Sequence, residues 1–175
     1  MLPLAQLGAF SLREGISSKQ IAQLLAYTKT DAVVRRFSSD AERFKDEASA
    51  NAWLTKGRTI YVMCDAQENL FGIVWFGSEQ LPSAEYLEPI QLKDYQTTFA
   101  VRIYGEARGQ HLARAFISAA HDAFKKTNLY QHSEAQGFWL ETFVENAAAV
   151  AAYISFGYKQ VTAPNADGKI IMIFK

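Results

Sequence analysis

Net charge is the first thing this chain lacks: Lys+Arg and Asp+Glu stand at 18 each, so the formal charge is zero. A nucleic-acid binder usually carries a basic excess or a concentrated basic stripe, and the short clusters "VVRRF" and "FKKTN" read as solvated helix ends. No nucleic-acid partner is expected. Cysteine occurs once, at Cys64, so no internal disulfide can form, which agrees with a reducing cytoplasm. Within "TIYVMCD" that thiol reads as a small buried apolar group, not as a nucleophile. Missing too is any apolar run near the roughly 20 residues that span a bilayer. The segment "MLPLAQLGAF" has no basic region before its apolar run and no small-residue cleavage pattern after it. The expectation is a soluble, cytoplasmic protein without a signal peptide or a membrane partner.

What is present is ample material for a core. Hydrophobic residues make up 49% of the 175, with 12 Phe, 8 Tyr and 3 Trp, so neither a disulfide nor a metal is needed as a staple. The length fits one domain over 1–175, and no metal is expected. "GAFSLRE" alternates as a first strand, and "SSKQIAQLLAYT" follows as a helix behind a serine cap. "SSDAERFKDEASANAWLTKG" reads as a second helix, capped near Ser39 or Asp40 and ended by Gly57. "RTIYVMCD" and "NLFGIVWFG" flank the polar "AQEN" and should pair antiparallel. Residues 78–95 form a long loop, and "QTTFAVRIY" resumes strand alternation with Phe99, Val101 and Ile103 on one face. Residues 110–126 hold the clearest helix, with Leu112, Phe116, Ala120 and Phe124 at helical spacing. "GFWLETFV" is a strand, "NAAAVAAYISF" a helix closed by Gly157, and the end a strand pair around "NADG". The order is that of a mixed α/β domain with a central sheet covered by helices.

"ARGQHLARAF" joins a strand to the clearest helix. A helix start there exposes unpaired backbone N–H groups and about half a positive charge. Gly109 lets a ligand approach the backbone, Ala113 is small, and Arg108 offers a charge suited to phosphate. Taken alone, the stretch reads rather as an ordinary loop and helix start.

The second segment, "LETFVENAAAVAAYISFGY", resembles the signature of the GCN5-related N-acetyltransferases (GNATs): a strand ending at an Asn, a short helix with an Ala and then a Tyr, and an aromatic-Gly-aromatic close. Here these are Asn146, Ala149, Tyr153 and "FGY". Upstream, Arg108 and Ala113 match the ends of that family's acetyl-CoA loop, Arg/Gln-x-x-Gly-x-Gly/Ala. The resemblance implies a mostly antiparallel central sheet of about seven strands covered by about four helices, with acetyl-CoA as cosubstrate. It implies that the backbone of Val101 and Ile103 lines the pantetheine arm. The N–H groups of Arg108, Gly109, Gln110, His111, Leu112 and Ala113 would take the pyrophosphate, with Arg114 near the phosphates. Asn146 would bond the arm or a water, and Tyr153 would lie by the sulfur. A tyrosine hydroxyl, with a reference pKa of about 10, can protonate a departing thiolate. Read without the motif, Tyr153 is a half-buried aromatic packed on the sheet.

Two positions depart from the family pattern. His111 stands at the loop's central glycine, where a Cβ would crowd a phosphate unless the side chain turns outward. Thr97 stands where some relatives carry a glutamate base, so no base transfers. One is still needed, since an amine with a pKa of about 10.4 is neutral roughly once in 2,500 molecules at pH 7. Glu141, Glu85 and Glu88 are the candidates, each also readable as a solvated carboxylate. The reading is an N-acetyltransferase acting by direct attack of a small-molecule or peptide amine in a ternary complex, with a homodimer left open. Its rival is a non-catalytic acyl-CoA-binding sensor or interaction domain. Acetylation of aminoacyl-tRNA is disfavoured by the zero net charge.

Overall fold

The computed structural model describes residues 3–175. It opens with a hairpin, β1 (Ala5–Leu7) and β2 (Phe10–Glu14), where the sequence reading expects one strand. Gly8, at φ 64°, takes the left-handed conformation that lets the chain reverse after Leu7. Helix α1 (Ser18–Thr30) begins with a reciprocal cap: the Ser17 hydroxyl accepts from the Gln20 amide at 3.3 Å, and the Gln20 side chain accepts from the Ser17 amide at 3.0 Å.

The second expected helix, over 38–57, is corrected to two short ones, α3 (Asp40–Arg43) and α4 (Glu47–Leu54), and a further short helix, α2 (Ala32–Phe37), precedes them. Asp31 starts α2 by accepting from the amides of Val33 and Val34, and Asp46 accepts from that of Ser49, so a new helix start interrupts the expected run. Packing demands the interruption. Phe44 and Trp53 are nine residues apart, which at about 100° per residue puts them on opposite sides of one straight helix. Broken, the segment brings the two rings edge to face with centroids 5.1 Å apart.

β3 (Arg58–Cys64) and β4 (Leu70–Ser78) form the expected antiparallel hairpin, and the Asp65 carboxylate organises its turn by accepting from the amides of Gln67 and Asn69. After the long 78–95 segment come β5 (Tyr95–Ile103), α5 (Ala113–Phe124), α6 (Asn128–Gln131), β6 (Gly137–Phe143), α7 (Ala147–Phe156), β7 (Lys159–Gln160) and β8 (Lys169–Phe174). Helix α5 starts at Ala113, three residues later than its periodicity suggests, and α6 is a single turn in a stretch read as a loop. The eight strands lie in the order β1-β2-β3-β4-β5-β6-β8-β7, all antiparallel except β5 against β6. The strands number eight because the first expected one is a hairpin, and the helices number seven because the 38–57 run is divided and α2 and α6 are added.

Two apolar layers flank the sheet. Helices α5 and α7 cover one face with Phe116, Phe124 and Tyr153 against Phe76, Phe99, Phe138 and Met172. The helices of residues 18–54 cover the other, with Leu24 and Phe44 against Val62, Ile73 and Trp75. Helix α5 has no side-chain N-cap, and a missing cap costs about 1 kcal/mol. Burying Phe116, Ile117 and Phe124 is worth about 1.5–3 kcal/mol each. Packing therefore holds α5 in place while its N-terminus stays open.

Candidate active site

β5 and β6 pair only at their beginnings. Their parallel partners are Tyr95 with Gly137, Thr97 with Phe138 and Thr98 with Trp139, and from Phe99 the strands part. A Cβ on Gly137 would collide with the Tyr95 ring and the Asp94 carbonyl, so glycine lets the strands meet at this apex. Beyond it each strand keeps its outer neighbour, β5 against β4 to Ile103 and β6 against β8 to Phe143. The gap between them is a cleft of about 770 Å³.

The Tyr104 amide donates to Phe71 of β4 at 2.8 Å, so by strand alternation the polar backbone groups of Val101 and Ile103 face the cleft. Their carbonyls are already engaged: Arg102 Nη1 donates to Val101 at 2.9 Å and Arg108 Nε to Ile103 at 2.8 Å. Tyr153, 4% exposed, brings its hydroxyl from α7 to the Val101 amide. Burial pushes its pKa above the usual tyrosine value, and the Arg102 guanidinium and the Val101 amide pull it back. A raised value keeps the proton on at neutral pH.

The β5–α5 loop supplies the other end. Arg108 N–H closes a turn on Gly105 at 3.1 Å, and after it, among the described residues, the N–H groups from Gly109 to Ala113 have no acceptor. Gly109 (φ 76°) and His111 (φ 57°) both take left-handed conformations, which turn successive amides toward one side as in an anion-binding nest.

No protein-family model matches the chain, and no curated protein matches it in sequence. Solved structures do share its architecture. The spermidine N-acetyltransferase of Vibrio cholerae, in complex with CoA and spermine, is 20% identical with a TM-score of 0.64, over 94% of this chain and 93% of that one. The GNAT domain of S. lividans PAT is 12% identical with a TM-score of 0.66, over 94% and 89%. The ribosomal-protein-S5-alanine acetyltransferase of Vibrio fischeri is 10% identical with a TM-score of 0.68, over 97% and 94%. The chain has the GNAT fold.

Within this GNAT fold, Val101, Ile103, Arg108, Gly109, His111, Leu112, Ala113, Asn146 and Tyr153 all line the one cleft. Gln110 and Arg114 do not: both are exposed, and the Gln110 side chain donates to the Glu106 carbonyl at 2.7 Å. The guanidinium of Arg108, offered to phosphate in the sequence reading, is instead bidentate on Asp31, at 2.7 and 3.0 Å. Asn146 caps α7, its Oδ1 accepting from the Ala149 amide at 3.4 Å, which leaves its Nδ2 for the cleft. Cys64 is fully buried.

Of the three carboxylates considered as bases, only Glu141 is on the wall, and Lys169 Nζ holds its Oε2 at 3.0 Å. Glu85 and Glu88 are exposed away from it. Glu79, at the end of β4, is on the wall and was overlooked. Overlooked too was a charge network: Asp40, fully buried, pairs with Arg102 Nε at 3.0 Å and Arg43 Nη1 at 3.4 Å. An arginine amid the apolar alternation of "TTFAVRIY" is the signal that could have found it, because a buried charge requires a partner. Among the described residues, no group of three or more His, Cys, Asp or Glu is placed to hold a metal, and no helix is long and apolar enough to cross a membrane.

Proposed function

We propose that the protein is an acetyl-CoA-dependent N-acetyltransferase that acts on a primary amine by direct attack in a ternary complex. The observation that carries this reading is the meeting, in one cleft, of the free N–H row, the open edge of β5 and the Tyr153 hydroxyl. Acetyl-CoA, when bound, supplies a carbonyl activated by its thioester. The amides from Gly109 to Ala113, with the α5 dipole behind them, hold the pyrophosphate. The edge of β5 orients the pantetheine arm, Asn146 bonds it or a water, and backbone N–H groups polarise the acetyl carbonyl. As the amine nitrogen bonds to the acetyl carbon and the carbon–sulfur bond breaks, Tyr153 gives its proton to the sulfur. Glu79, Glu141 or water takes the amine's proton.

The test begins with thermal shifts. Free CoA should raise Tm in proportion to ln(1 + [L]/Kd), and pantetheine, which lacks the pyrophosphate, far less. Equal shifts would remove the α5 N-terminus as the anchor. A second reading, a non-catalytic acyl-CoA-binding domain, draws on the absence of a free buried carboxylate on the wall: Glu141 is tied to Lys169 and Glu79 is exposed. Native mass spectrometry separates the two. Loss of the bound acetyl group on adding amines supports the enzyme, and a lasting acetyl-CoA complex supports the sensor.

A further inference from the structure

Strand register gives the cleft two ends. The N–H row begins beyond Ile103, at the far end of β5, and Tyr153 meets β5 at Val101. The other end lies at Thr98, opposite Gly77 of β4, which in turn faces Arg58 of β3. From Ile103 to Thr98 is five residues, or roughly 17 Å of strand. Alternation puts the side chains of Arg58, Trp75 and Arg102 on one face of the sheet, where α3 and α4 bring Arg43 and Trp53 to the same wall.

From this arrangement we infer that the acceptor is a small amine bearing a carboxylate, of amino-acid size with an apolar side group, whose carboxylate is held by Arg58 together with Arg43. The inference rests on the acetyltransferase reading, and names the acceptor class of that site. Arg58 and Arg43 line this end, and the buried carboxylate beside them, Asp40, is shared by Arg43 with Arg102, which lies nearer Ile103. Among the described residues Arg58 has no carboxylate within ion-pair distance. It donates once, to the Trp53 carbonyl at 2.8 Å, and lies over the Trp53 ring at 4.0 Å. Its remaining N–H donors are unspent. Burial and the nearby Arg43 charge lower its pKa, and Glu79 opposes them without pairing. A guanidinium stacked on an aromatic ring with its fork open is suited to a carboxylate. Trp53, Trp75 and Trp139 supply apolar walls around it. A polyamine, such as the spermine in complex with the Vibrio cholerae neighbour, would meet like charge here.

Calorimetric titration of the purified protein, with and without saturating CoA, tests this with L-phenylalanine, L-leucine and L-methionine, each against its primary amide. The acid should bind about 10–100-fold tighter than the amide in at least one pair, the worth of a charged hydrogen-bond pair. Arg58→Gln should erase that difference, and Arg58→Lys should restore part of it. Acids no tighter than amides in all three pairs would overturn the inference, as would spermidine binding tighter than every acid. So would a preference that survives both Arg58→Gln and Arg43→Gln in folded protein. The CoA titration reads the acetyltransferase proposal separately: acid-selective binding with no CoA binding would keep the carboxylate site and remove that proposal.

Discussion

On the α5/α7 face of the sheet the contacts are aromatic and apolar, with Phe76 stacked on Phe124 at 4.2 Å and His121 as the buried titratable ring among them. On the opposite face short helices are tied down by charge: Asp31 holds Arg108, and Asp40 holds Arg102 and Arg43. The two faces accordingly offer different chemistry to the cleft between β5 and β6. The apolar face fixes α5 rigidly and so presents backbone amides, whose binding depends on loop geometry and little on side-chain identity. The charged face presents guanidinium groups, whose identity is the binding property. A loop can thus carry histidine at its central position and keep its amides, whereas replacing one arginine across the sheet changes what the site accepts.

The sharpest break in that comparison comes from Tyr153→Phe, because Tyr153 packs on the apolar face yet in the proposed reaction works through its hydroxyl. Turnover should fall about 10²–10⁴-fold, the usual worth of general acid catalysis, while CoA affinity and folding stay close to the parent. Steady-state kcat beside calorimetric CoA affinity reads it; full activity would take Tyr153 out of the mechanism.

Asp40→Ala attacks the charged face alone. It leaves Arg102 and Arg43 without their carboxylate, and since these side chains are 19% and 37% exposed, the loss should sit near the low end for a broken buried pair, about 3 kcal/mol. That corresponds to a Tm lower by roughly 6–12 °C. An unchanged Tm would mean that water replaces the carboxylate at no cost.

The apolar face has its own weak point in acid. Burial, aided by Lys125, pushes the His121 pKa down to about 3 from 6.5, so the folded protein holds the ring neutral with Nε2 3.1 Å from the Tyr158 hydroxyl. The unfolded chain takes up a proton below about pH 6.5 and the folded one does not until about pH 3. The stabilisation is therefore complete above 6.5 and drains away between these values as pH falls, at about 1.4 kcal/mol per unit. Denaturant unfolding across that range, compared with His121→Gln, should show a shallower acid limb in the variant; equal slopes would locate the acid sensitivity elsewhere.

The smallest effect is expected at His111→Gly. Relief of the left-handed φ favours glycine by about 1 kcal/mol, and the extra freedom of the unfolded chain costs about as much, so stability should move little. CoA affinity should hold or tighten. A loss beyond tenfold would show that the imidazole itself binds phosphate, and that this loop relies on a side chain after all.

Local signals sufficed wherever one element closes on itself. The β3–β4 hairpin follows from alternation around a polar turn, α5 from its apolar stripe, and the limits of α7 from Asn146 as cap and Gly157 at φ 126°. The same locality, together with the GNAT resemblance, singled out nine residues that share the cleft wall. Residues 38–57 failed the test because the Asp46 cap inside the run is decisive only together with the packing of Phe44 edge to face on Trp53, a tertiary contact.

What the sequence determined by itself, then, is the β3–β4 hairpin, helices α5 and α7 and the loop that opens α5, since backbone conformation and apolar period act over a few neighbouring residues. The tertiary structure alone decided where charge is spent. Arg108 was a free cation in the sequence until Asp31, 77 positions away, took it, and Arg102 was a strand residue until Asp40, 62 positions away, paired with it. Among the described residues the same folding left Arg58 without a carboxylate partner. Electrostatic pairing acts through space between residues that no sequence window spans, so the balance of charge at each end of the cleft exists only once the sheet and both its layers are assembled.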